Sequence, residues 1–109
     1  MDEPGDAFRI DEHRTEDAVV LTLHGELDLA SADGVQQRLD VLAAAGTPVR
    51  LDLDGLRFMD SSGLRVVLQA AETSRATGWA FTITPGSEQV RTLFASAGIT
   101  GRLPIVGPE

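Results

Sequence analysis

Cysteine and lysine are both missing from this chain of 109 residues. Without cysteine there is no disulfide, no thiolate nucleophile and no zinc–thiolate site, which fits a reducing compartment. Without lysine, Walker-type phosphate loops and Schiff-base chemistry are excluded together. The nine cations are therefore all arginine, set against seventeen Asp plus Glu for a formal net charge of −8. That balance repels phosphate backbones and anionic lipid heads, so no direct nucleic-acid binding is expected. Long apolar runs are absent too: nothing approaches the ~18 residues of a membrane span, and the acidic start MDEPGD lacks the basic-then-apolar layout of a secretory signal. No membrane insertion and a cytoplasmic location are expected.

What is present is the composition of an ordinary globular protein, 42% hydrophobic and 24% charged. The length suits one domain over residues 1–109, with a core of about 7–106 and a flexible acidic extension at 1–6. Four segments alternate apolar and polar residues with period two: Phe8 and Ile10; Val19, Leu21 and Leu23; Val49, Leu51 and Leu53; Trp79, Phe81 and Ile83. Each predicts a half-buried strand. The residues between them, Arg9, Thr22, Arg50, Asp52, Thr82 and Thr84, predict one wet sheet face, which leaves the other for helices. Residues 103–106 are a candidate fifth strand at an edge, limited by Pro104.

Three segments have helical period. In the first, Ser31 is the expected N-cap, Asp33 suits the positive first turn, and Ala32, Val35, Leu39 and Leu42 form a stripe ending near Gly46 and Pro48. The second is expected to bury Leu64, Val67, Leu68 and Ala71. The third is expected to bury Val90, Leu93, Phe94 and Ala97, with Gly98 as its stop. The fold class is α/β in the order β-β-α-β-α-β-α-(β), a mixed sheet of four to five strands with helices packed on one face. A short turn at 14–17 makes the first two strands antiparallel, and helical crossovers make the later ones parallel to the second. The loop 25–28 then lies beside 60–63, and two polar loops become one patch.

The stretch FMDSSGL, 58–64, carries the chemistry. Asp60, Ser61 and Ser62 read as a helix start, where small oxygen-bearing side chains accept bonds from orphan amides and stabilise the end by ~1 kcal/mol. A helix start also leaves a serine exposed beside unpaired amides and a positive dipole end, surroundings that tolerate added negative charge. Asp28, predicted nearby, is a candidate for orienting that hydroxyl or contacting a partner, although Glu26 and Asp28 read first as a turn that positions the following helix. Asp52 and Asp54 are read as water-facing strand positions and not as a metal site. His13 and His24 lack a nucleophile at any triad spacing, and His24 is read as a sheet-surface residue. Trp79 and Phe94 are read as core. No catalytic residue, metal or cofactor is expected, and a serine hydrolase lacks its glycine elbow and oxyanion loop.

GELD at 25–28, LDLDGLRFMDSSGLRVVL at 51–68 and VRTLFASAGI at 90–99 together resemble the STAS domain of bacterial anti-sigma factor antagonists, over about 8–106. The resemblance implies a non-enzymatic binding module whose Ser61 is phosphorylated by a partner anti-sigma factor serine kinase. ATP is bound by that partner, and a serine phosphatase resets the switch. It implies that the unphosphorylated form docks on the kinase and releases a sigma factor; the residues expected at the contact are Asp28, Asp60, Ser61, Ser62, Gly63 and Arg65. Arg65 departs from the small residue that many relatives carry there. The competing expectation is a STAS scaffold or accessory subunit of a signalling complex or membrane transporter.

Overall fold

The computed structural model describes residues 8–106, and the acidic segment 1–6 lies outside them. The run VVLTLHGEL forms the longest strand, β2 (Val19–Leu27), flanked by β1 (Arg9–Arg14), which pairs antiparallel with Ile10 opposite Leu23. Val19, Leu21, Leu23 and Leu27 are buried, each contributing roughly 1.5–3 kcal/mol by leaving water. Thr15 closes the turn between the strands, its hydroxyl accepting from the amides of Asp17 and Ala18 at 3.1 and 3.0 Å. After the helix α1 (Leu29–Ala44), β3 (Val49–Asp52) pairs parallel to β2 with Leu21 opposite Leu51.

The next strand, β4 (Leu56–Met59), is one that hydrophobic alternation did not announce. It pairs parallel with the far end of β2, Glu26 opposite Phe58 and Leu27 opposite Met59, beyond the point where β3 has left. Only its ends are buried, so it has no period-two signal. The helix α2 (Ser61–Thr77), the strand β5 (Phe81–Ile83) and the helix α3 (Glu88–Ser96) complete the element order, followed by a 3-10 turn at Thr100–Arg102. The five-stranded mixed sheet runs β1-β2-β3-β5, with β4 attached to β2. The segment 103–106 makes a single bridge, Ile105 to Ile83, held by Ile83 N–H to Pro104 O at 3.1 Å and Val106 N–H to Ile83 O at 2.8 Å. Proline has no amide to extend the ladder.

All three helices cover one face of the sheet, while Thr22, His24, Arg50 and Thr82 on the other keep contact with water. Thr84 is the exception to the expected wet row. It is buried, accepting from Leu53 N–H at 2.9 Å and donating to Asp52 Oδ1 at 3.4 Å. Helix α1 buries the expected Ala32, Val35, Leu39 and Leu42. Helix α2 is rotated from its expected face: Gly63, Val66, Val67, Ala70 and Ala71 are buried, and Leu64 and Leu68 are only half-buried. Small side chains let α2 sit close to the layer beneath it, and the two leucines are turned to its flank. Helix α3 buries Val90 and Phe94, leaving Leu93 half-buried and Ala97 exposed. Trp79 and Phe81 stack with centroids 4.9 Å apart inside the core. Among the described residues no helix is long and apolar enough to cross a membrane.

Candidate functional site

Two helix starts meet at one edge of the sheet because β2 and β4 end side by side. The amide of Asp60 donates to Leu27 O at 3.2 Å, carrying the strand pairing one residue past β4. Directly after these paired ends, Asp28 caps α1 and Asp60 caps α2.

At α1 the Asp28 carboxylate accepts from Ala30 N–H at 3.0 Å. Ser31 Oγ donates to Glu26 O at 2.8 Å and accepts from Asp28 N–H at 3.0 Å. The cap is therefore Asp28, and Ser31, expected to be the cap, is the third residue of the helix and closes a capping box with Asp28. The helix begins earlier than expected, which puts Asp33 beyond its first turn. Among the described residues no hydrogen bond joins Asp28 to Ser61; the Asp28 carboxylate is engaged by its own helix.

At α2 the Asp60 carboxylate accepts from Ser62 N–H at 2.8 Å and Gly63 N–H at 3.4 Å. These amides would otherwise be open to an incoming anion. Gly63 is required by close approach: a Cβ there would lie 2.7 Å from Leu27 Cγ and 2.8 Å from Leu27 O. Ser62 is half-buried, whereas Ser61, the first residue of the helix, is exposed. No hydrogen bond occupies the Ser61 hydroxyl among the described residues. Ser61 opens a shallow groove along α2 lined by Leu64, Arg65, Leu68, Gln69 and Glu72.

Gln89 was not legible as part of this edge. Its side-chain amide accepts from Met59 N–H at 3.0 Å and points its NH2 at Met59 O, 3.4 Å away, acting as an extra strand partner on the free side of β4. An exposed-looking polar residue on a short helix carries no sequence signal for such a role. Two exposed apolar side chains also stand here: Leu29, 79% exposed at the first residue of α1, and Phe58, 40% exposed on β4.

The other polar groups have structural partners. Asp52 Oδ1 accepts from Asp54 N–H at 2.9 Å and Asp54 Oδ1 from Gly86 N–H at 3.1 Å, so this pair ties the loop after β3 to the loop after β5. Among the described residues no group of three or more His, Cys, Asp or Glu is placed to hold a metal ion. His24 lies on the open sheet face with Nε2 3.0 Å from Asp11 Oδ2.

This mixed sheet, with its two capped helix starts side by side, has the architecture of a STAS domain, and residues 10–107 match the family model described as "Mlab, STAS domain". The chain belongs to the STAS domain family and, within it, to the anti-sigma factor antagonists. It is 32% identical over 88 residues to the anti-sigma F factor antagonist of Lysinibacillus sphaericus, covering 78% of this chain and 74% of that protein. It is 28% identical over 92 residues to the anti-sigma-B factor antagonist of Bacillus subtilis (strain 168), covering 84% of each. Among solved structures, the Bacillus cell fate determinant SpoIIAA in its phosphorylated form superposes with a TM-score of 0.71 at 24% identity, over 94% of this chain and 92% of that one.

Proposed function

We propose that this chain is a phosphorylation-controlled antagonist of an anti-sigma factor. Unphosphorylated, it docks on an anti-sigma factor serine kinase in the cytoplasm through the edge formed by Asp28, Asp60, Ser61, Ser62, Gly63 and Arg65, and so frees a sigma factor. The kinase brings the ATP, transfer to Ser61 ends the complex, and a separate serine phosphatase restores it. The observation that carries this reading is the Ser61 hydroxyl, exposed and unengaged at the first residue of α2.

Phosphorylation adds a charge of about −1.5 to −2 and three strong acceptor oxygens. Asp60 stands next to it and already accepts from Ser62 and Gly63. A partner surface fitted to a neutral hydroxyl then has to bury an unpaired dianion beside a carboxylate, which costs several kcal/mol, and every ~1.4 kcal/mol is tenfold in affinity. The phosphate is an off-switch on these grounds. Transcription is governed without contact to DNA, in keeping with a net charge of −8.

The test is incubation with the cognate kinase and ATP, followed by intact mass and affinity measurements. One added phosphate at Ser61 is expected. Ser61→Ala is expected to bind the kinase whether or not ATP is supplied, and Ser61→Asp to bind weakly. Equal affinities for the two variants would refute the switch, and a stable complex of the wild type that ignores ATP would point to a scaffold.

A further inference from the structure

Arg65 follows Ser61 by four positions on α2, one turn further along the same helix face, and both line the groove with Leu64, Leu68, Gln69 and Glu72. Side chains at that spacing are neighbours, with Cβ atoms about 5–6 Å apart, and an anion placed N-terminal to the cation is the more favourable order. Among the described residues no carboxylate pairs with Arg65. Glu72, the one acid in the groove, is joined to Arg102 at 3.2 Å. Arg65 therefore offers an uncommitted guanidinium on the phosphoacceptor's own helix.

The usual ligands for an anion at a helix start are largely engaged. Ser62 N–H and Gly63 N–H, two of the first amides of α2, donate to the Asp60 carboxylate. A phosphate on Ser61 would have to displace Asp60 to use them, and if Asp60 stays it repels the phosphate. An exposed guanidinium one turn along has neither obstacle, and its planar fork suits two phosphate oxygens at once.

We propose that Arg65 is the intramolecular ligand of phosphorylated Ser61, drawing the phosphate away from Asp60 and along α2 over the groove. The inference rests on phosphorylation of Ser61 as proposed above. It adds a mechanism of regulation: the modified state presents a phosphate–guanidinium pair lying across the half-buried Leu64 and Leu68, and the docking face changes in shape as well as in charge. The ion pair also ties the first two turns of α2 together in that state.

The experiment uses the full chain with phosphoserine inserted at position 61 during translation, so that no kinase is needed. The second ionisation of the phosphate, which falls near pH 6 for an unperturbed phosphoserine, is followed by phosphorus NMR. A neighbouring cation favours the dianion and lowers that pKa. Arg65→Gln is expected to raise it by roughly 0.5 unit, the scale of a solvent-exposed pair. Arg65→Lys should recover part of the difference, and Arg50→Gln, at the opposite end of the parallel strands, should leave the titration where it was. Superimposable curves for wild type and Arg65→Gln would overturn the proposal. An equal shift from Arg50→Gln would overturn it too, by showing a diffuse field instead of a pair. A kinase that never modifies Ser61 defeats the functional reading and leaves this titration unaffected, so the two failures are distinguishable.

Discussion

Asp60 N–H reaches Leu27 O at 3.2 Å, and this one backbone bond joins the end of β4 to the end of β2 immediately before each chain segment turns into a helix. Its consequence is a common origin for α1 and α2. An aspartate sits at each start, Asp28 and Asp60, with its carboxylate turned onto the following amides. The exposed Leu29 and Ser61 are the first residues of those helices. A loop that positioned Ser61 alone would be free to move. Here the strand ladder, the cap and the Gln89 amide on Met59 hold the backbone on both sides of Met59 and Asp60.

Gly63→Ala tests how closely α2 lies over that junction. Helix propensity by itself favours alanine by about 1 kcal/mol. The added methyl would sit 2.8 Å from the backbone oxygen of Leu27 and 2.8 Å from Met59 Cγ, and a backbone atom cannot swing aside. Overpacking of this kind costs about 1–3 kcal/mol, so the expected net result is destabilisation, read as a lower urea midpoint with an unchanged slope. An unchanged or higher midpoint would mean that α2 lifts away without cost.

Asp60 is a cap as well as a charge, and two substitutions separate these roles. Asp60→Ala removes the acceptor for Ser62 N–H and Gly63 N–H and is expected to cost about 1 kcal/mol in chemical denaturation. Asp60→Asn keeps an oxygen for the same amides and should lose only a few tenths of that. Equal losses would assign the stabilisation to charge and helix dipole instead of the hydrogen bonds.

Much of this site was legible because its signals are local. The stripe of Ala32, Val35, Leu39 and Leu42, the alternation along β2 and the polar cluster before Gly63 all follow from spacing along one element. The features that escaped are relations between elements. Leu56 and Met59 are the buried ends of β4, three residues apart, a spacing that does not read as a strand until β2 supplies its partner. Ser31 and Asp28 both have capping side chains, and only the backbone decides which is the cap and which completes the box. Leu64 and Leu68 belong to an apolar stripe by hydropathy, but smaller residues let a neighbouring stripe pack, and the leucines border the groove instead. Gln89 acts through a strand thirty residues earlier in the chain.

Acid should weaken the junction of β1 with α1. Arg38 donates to Glu12 in a fork, Nε to Oε1 at 2.8 Å and Nη2 to Oε2 at 2.7 Å. The hydrogen bonds from Arg38 hold the Glu12 carboxyl below its ordinary range, against a smaller opposing effect of desolvation. A carboxylate whose pKa is lower folded than unfolded contributes stability above its unfolded value and loses that contribution as pH falls through its folded one. The contribution is small because about a third of each side chain is exposed, 35% for Arg38 and 30% for Glu12. In urea titrations Glu12→Gln should therefore be less stable than wild type near neutrality, and the two should converge in acid once the pH has fallen below the lowered pKa of the folded Glu12 carboxyl. Added salt should narrow the gap. A gap that persists unchanged in acid would show that the glutamine alters packing and not an ion pair.

Leu29 provides a test of the proposed docking edge that leaves Ser61 untouched. It is 79% exposed, a large apolar side chain in water beside a helix cap, so Leu29→Ser removes little from the folded state. Exposed substitutions of this kind fall within about 0.5 kcal/mol in stability. If the edge carrying Ser61 meets the kinase, burial of Leu29 there contributes to affinity on the scale of an apolar side chain leaving water, about 1.5–3 kcal/mol. The expected outcome is a loss of at least about tenfold in kinase affinity for the unphosphorylated variant, with an unaltered unfolding midpoint. Val41→Ser is the matched control, since Val41 is 57% exposed near the far end of α1, three residues before Ala44. Equal binding by the wild type and Leu29→Ser would place the partner elsewhere on the domain, and equal losses from both serine variants would mean that the whole outer face of α1 is engaged.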